Sequence, residues 1–147
     1  MYKILNDYAI RHCRPKGENT LLIRLLEPRY RQDGIPYSLE FESEYKAILS
    51  IYVDDVSEDN ELARKYFYVF NEEMAKEIIE FIKAYEFDEL IVHCNKEASR
   101  SAAVMIGILD YLGEEDLKQT LLNSQLYTPN PLIVQVFETY HQKLTNC

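Results

Sequence analysis

Residues 90 to 107, LIVHCNKEASRSAAVMIG, restrict what this chain can fold into more than any other stretch. Leu90, Ile91 and Val92 form a short apolar run of the kind that makes a buried strand. From Ser101 to Leu112 the residues are apolar on nearly every face, which predicts a helix enclosed at the centre of the fold. Between the two stand His93, Cys94 and, six residues after the cysteine, Arg100. Where a strand runs through a short loop into a helix, unpaired N–H groups and the positive end of the helix dipole converge on the loop. That field favours a thiolate over a thiol, so Cys94 reads as a nucleophile. Arginine cannot deprotonate and offers two parallel charge-assisted bonds, so Arg100 reads as a phosphate clamp.

The pattern His93-Cys94, five residues, Arg100-Ser101 resembles the signature loop of the cysteine-dependent protein tyrosine phosphatases, nearest to the small dual-specificity-like branch. The resemblance implies an α/β fold: a single domain over residues 1–147 with a central, mostly parallel, twisted sheet of about four to five strands flanked by helices. It also implies roles. Cys94 attacks phosphorus, while Arg100 and the backbone amides of Asn95, Lys96, Glu97, Ala98, Ser99 and Arg100 hold the phosphate oxygens. His93 helps to fix the orientation and charge of the cysteine, and Ser101 donates to the thiolate as it leaves. Neither a metal nor another cofactor is called for, because the cradle supplies the positive field. The general acid of the family is an aspartate some tens of residues upstream, after a strand. IYVDDV offers Asp54 and Asp55, and the alignment favours Asp55, directly before Val56, with Asp54 as the alternative. A signature loop two-thirds along the chain with the acid upstream matches the dual-specificity arrangement and not the low-molecular-weight type, where the loop comes first. The chain departs from the pattern at Glu97, where the family commonly has glycine. Two functions are therefore carried forward. The first is a phosphomonoester hydrolase acting on phosphorylated protein, phosphotyrosine favoured, through a phosphocysteine. The second is a pseudophosphatase that binds phosphorylated partners without turnover.

Composition narrows the partners. With 16 basic and 25 acidic residues the net charge is −9, which argues against nucleic acid and anionic membranes as partners, since both need a broad basic face. Three cysteines, Cys13, Cys94 and Cys147, stand at unrelated spacings that suggest neither a disulfide scaffold nor a zinc site. The first residues lack the apolar core of a signal peptide, and the longest apolar run is too short to span a bilayer. Together these give the expectation of a soluble, cytoplasmic protein.

The remaining text supplies a scaffold. Residues 1–16 are weakly patterned and suit a strand or a short helix. Leu21 to Leu26 and Ile48 to Val53 read as strands, separated by a Pro- and Gly-containing loop over 28–37 that carries Arg29, Tyr30 and Arg31. Asn71 suits an N-cap, and Met74, Ile78, Ile79, Ile82 and Tyr85 recur at helical spacing over 72–85. Strand, helix and parallel strand in succession predict a right-handed crossover. The Asp54/Asp55 and Cys94 loops should then emerge on one edge of the sheet. Gly113 suits the end of the central helix, and a further helix is expected over 115–124. Asn130 and Pro131 suit the start of a last one, whose core stripe is Leu132, Ile133, Val136, Phe137, Tyr140 and Leu144. Asn130 also resembles an asparagine that supports the signature loop in the dual-specificity branch. His12 and His141 read as solvated or core-edge residues.

Overall fold

The β-branched and leucine-rich runs of the sequence pair into a four-stranded, all-parallel sheet. A computed structural model describes residues 1–29, 37–95 and 99–146. In chain order its elements are β1 (Tyr2–Asn6), α1 (Asp7–His12), β2 (Thr20–Leu26), a 3-10 turn (Glu42–Glu44), β3 (Ala47–Tyr52), α2 (Glu61–Tyr66), α3 (Glu72–Ala84), β4 (Glu89–Cys94), α4 (Arg100–Leu112), α5 (Glu115–Asn123) and α6 (Pro131–Thr145). The strand order is β1-β4-β2-β3. Because every pairing is parallel, the strands end on one edge, which collects Asp7, Glu27, Asp54, Asp55 and Asn95 just beyond them. The chain passes from β3 to β4 through α3, with β2 lying between the two strands.

Side chains alternate between the two faces of a strand. One face of the sheet, with Leu21, Ile23, Leu25, Leu90, Val92 and Cys94, packs against α3, α4 and α6 through Ile78, Ile79, Ala103, Val104, Ile108, Ile133 and Phe137. The other, with Leu22 and Ile91, packs against Ile10, Leu39 and Tyr45. The central position of α4 follows from its composition: every residue from Arg100 to Leu109 is buried. Gly107 lets α6 close on it, since a Cβ there would lie 2.3 Å from the Phe137 ring. Gly113 ends α4 in the left-handed region (φ 74°), a conformation that costs glycine nothing.

Asparagine starts four of the helices. Asn6, Asn60, Asn71 and Asn130 each accept a backbone N–H three residues on, from Ala9, Ala63, Met74 and Ile133 at 2.8–3.1 Å. Three local expectations need correction. The weakly patterned N-terminus is both a strand and a helix, β1 and α1. The helix α2 was not anticipated; at six residues it is too short to show a period. Tyr85 and Leu144, expected in core stripes, are exposed, because α3 ends at Ala84 and the last turn of α6 projects beyond the packed layer.

Candidate active site

Cys94 is the last residue of β4 and is 1% exposed. Its thiol donates to Ser101 Oγ at 3.1 Å, across the turn into α4. Arg100, first residue of α4, is 4% exposed. Its Nη1 donates to Val53 O and its Nη2 to Glu27 Oε1, both at 2.8 Å. Among the described residues Nε of Arg100 is buried without a hydrogen-bond partner. A guanidinium carries five N–H donors in a fixed fork. Here two are committed to holding the plane of the group and the others remain for an acceptor.

Ser99 stands at the N-cap of α4 but makes no capping bond with its side chain. Its Oγ instead donates to Asp55 Oδ1 at 2.8 Å. The same carboxylate oxygen accepts from Asn130 Nδ2 at 2.7 Å, and that amide also donates to Val56 O at 3.1 Å. The Asn130 backbone N–H donates to Ser99 O at 3.2 Å. The start of α6 thus ties the 55–56 loop to the end of the cysteine loop. Asp54 faces elsewhere: its Oδ2 accepts from Tyr68 N at 2.7 Å while its own N–H donates to Tyr68 O at 2.8 Å. Of the two carboxylates, Asp55 is brought to the Cys94 loop and Asp54 fastens the strand end to the segment after α2.

His93 is fully buried, but alternation along β4 sends its side chain to the sheet face opposite Cys94. There its Nε2 accepts from Arg24 Nε at 3.2 Å. Its Nδ1 lies 3.3 Å from Asp7 Oδ1, an approach too oblique to count as a hydrogen bond. Asp7 Oδ1 also accepts from the Tyr37 hydroxyl at 2.6 Å. Burial pushes the His93 imidazole below its ordinary range; Asp7 pulls it upward, and the Arg24 and Arg100 charges push it further down, so the neutral ring prevails. For Asp7 burial acts upward, but the approach of His93 and the bond from Tyr37 outweigh it, and the carboxyl lies below the usual range. His93 therefore meets its side-chain partners on the face opposite the thiol, and its connection to Cys94 runs through the backbone of β4.

No family model and no curated protein matches the sequence. Solved structures do. PTPMT1 in complex with PI(5)P superposes with a TM-score of 0.65 at 15% identity, over 98% of this chain and 90% of its own. A variant of human DUSP28 gives 0.59 at 17%, over 99% and 92%. A mouse putative dual specificity phosphatase complexed with zinc tungstate gives 0.54 at 16%, over 89% and 74%. The fold is that of the dual-specificity-like, cysteine-dependent protein tyrosine phosphatases.

Within this phosphatase fold, Cys94, Ser99, Arg100, Ser101 and Asp55 converge on the C-terminal edge of the sheet, joined by Asn95, which is exposed. Lys96, Glu97 and Ala98 lie outside the described residues, as do Tyr30 and Arg31 of the loop after β2. Sequence reasoning passed over Glu27, Asp7 and Arg24. The first two are ordinary acids in the text, distinguished only by following a strand. Arg24 did carry a signal, a single charge inside the apolar run LLIRLL.

Proposed function

We propose that the protein is a phosphomonoester hydrolase of the cysteine-dependent kind, acting on phosphorylated protein with phosphotyrosine favoured. The observation that carries this reading is Arg100: a buried guanidinium at a helix N-terminus, oriented by Glu27 and Val53, with an unpartnered donor among the described residues beside the Cys94–Ser101 pair. The Cys94 thiolate attacks phosphorus in line, and Arg100 with the loop amides takes up the charge on the equatorial oxygens. Asp55 gives its proton to the departing oxygen, leaving a phosphocysteine. The ionised Asp55 then takes a proton from water, which attacks phosphorus and expels Cys94 as thiolate while Ser101 donates to the sulfur. A thiol nucleophile works only when reduced, in keeping with a cytoplasmic setting.

Hydrolysis of para-nitrophenyl phosphate in the absence of metal tests this. Cys94→Ser should abolish turnover. Asp55→Ala should lower kcat by about 10²-fold, the usual worth of a positioned acid. Asp54→Ala should lower it less, through slackening of the loop at Tyr68. Turnover that survives Cys94→Ser would overturn the mechanism. The glutamate at position 97, where the family commonly has glycine, favours a second reading, the phosphate-binding pseudophosphatase. An inert wild type that still binds vanadate would select it.

A further inference from the structure

Arg24 is 2% exposed in the middle of β2, opposite His93 of β4 in the sheet register. The two side chains lie on the face away from Cys94, and no step of the chemistry above uses Arg24. A buried guanidinium is costly unless its donors are met. Here Nε donates to His93 Nε2 at 3.2 Å, Nη2 donates to Tyr37 O at 3.1 Å, and Nη1 lies 4.0 Å from Glu42 Oε1. The group also stacks 4.7 Å from the centre of the Tyr37 ring.

Arginine has no acceptor, so the imidazole nitrogen it faces must offer a lone pair. A proton on Nε2 would set N–H against N–H. The ring proton is left to Nδ1, the atom directed at Asp7 Oδ1 at 3.3 Å. We propose that Arg24 is a positioning residue that holds His93 neutral in its Nδ1–H form, making the ring a fixed link between β2 and α1 beneath the cysteine loop.

Among the described residues, the surroundings of the ring are consistent with that assignment. On α1, the Asp7 carboxylate lies 3.3 Å from the ring Nδ1, and Arg11 lies 4.2 Å over the Tyr37 ring. The Tyr37 hydroxyl donates a hydrogen bond to Asp7. Glu42 of the 3-10 turn faces Arg24, and the Arg100 charge acts on the ring from α4. Burial and both guanidinium charges disfavour imidazolium; only Asp7 favours it. The consequence for catalysis rests on the function proposed above: the peptide joining His93 to Cys94 is held at its histidine end by Arg24 of β2, with the ring in one tautomer facing Asp7 of α1.

Long-range ¹H–¹⁵N spectra of the full chain, with His93 assigned by loss of its signals in His93→Gln, read the tautomer directly. The wild type should show neutral Nδ1–H at His93 at neutral pH, where an unperturbed histidine is already partly charged. In Arg24→Met the ring should lose its preference for the Nδ1–H form, and kcat for para-nitrophenyl phosphate should fall about tenfold or more with KM little changed, as expected of lost orientation. Arg24→Lys keeps one donor for Nε2 and should restore both the tautomer and most of kcat. A wild-type ring that is charged at neutral pH, or carries its proton on Nε2, overturns the proposal whether or not Arg24→Met folds. So does an Arg24→Met protein whose His93 is unchanged. Failure of the wild type to hydrolyse para-nitrophenyl phosphate would count against the phosphatase reading alone, since the tautomer is measured without turnover.

Discussion

Arg100 meets a ligand with its plane already set. Val53 O and Glu27 Oε1 each take one N–H at 2.8 Å, so the rotamer is fixed by contacts from two neighbouring strand ends. Glu27→Ala leaves a buried cation with one anchor fewer. Hydrogen bonds to charged groups contribute about 1.5–3 kcal/mol, so the variant should lose stability on that scale. Vanadate should also bind about tenfold more weakly, read by inhibition or calorimetry. Glu27→Gln, which still accepts a bond, should recover part of both. Cys94, Arg100 and Ser101 could be placed together from the text because they are neighbours there. Glu27, Asp7 and Arg24 could not, because their significance lies in pairings between strands, and a single sequence does not say which strand lies beside which.

Among the elements, α6 does more than cover the sheet. Its first cap, Asn130, uses its carbonyl for Ile133 N and its amide for Asp55 and Val56, so helix start and acid loop share one side chain. Asn130→Ser keeps a capping oxygen and loses both amide donors. Serine caps about as well as asparagine, so the melting temperature should change little while kcat falls markedly. Asn130→Ala should lose about 1 kcal/mol of stability in addition. The cap was legible in Asn130-Pro131; the bonds to Asp55 were not, because they cross 75 positions. Where α4 meets α6, Gly107→Ala drives a methyl into Phe137, and overpacking of this kind costs about 1–3 kcal/mol. Phe137→Leu in the same chain should recover part of the loss, measurable by thermal unfolding. The enclosed character of α4 was readable from its composition, whereas the glycine contact depends on a helix thirty residues further along.

For the whole molecule the buried imidazole ties stability to pH. The folded state holds His93 below its ordinary range, so below about pH 6.5, the unperturbed value, the unfolded chain binds a proton that the folded chain resists. Its contribution is complete above that value and diminishes as pH falls toward the folded one. Thermal unfolding between about pH 7.5 and 5.5 should show a falling melting temperature, and His93→Gln should flatten that slope, although at a lower starting stability. An unchanged slope in His93→Gln would assign the dependence elsewhere. At this scale the sequence conveyed a parallel α/β sheet with two loops on one edge, because apolar runs and the crossover rule are local. It did not convey the order β1-β4-β2-β3, since β1 lies in a stretch whose pattern is too mixed to announce a strand.

That order has a kinetic side. β4 is the last strand among the described residues and yet sits between β1 and β2, so the Met1 ammonium and Asp88 O, 87 positions apart, meet at the rim of the sheet only after the whole intervening chain is in hand. Pairings of such long range close slowly and late. The strand bearing Cys94 cannot be added to a finished sheet; it completes one. Amide hydrogens of Leu90 to Val92 should therefore exchange only through global opening, at a common free energy, while those of α2 and α5 exchange through smaller excursions. Partly folded forms of this protein would then hold no assembled cysteine site, and any activity they show would have to come from molecules that have already closed around β4.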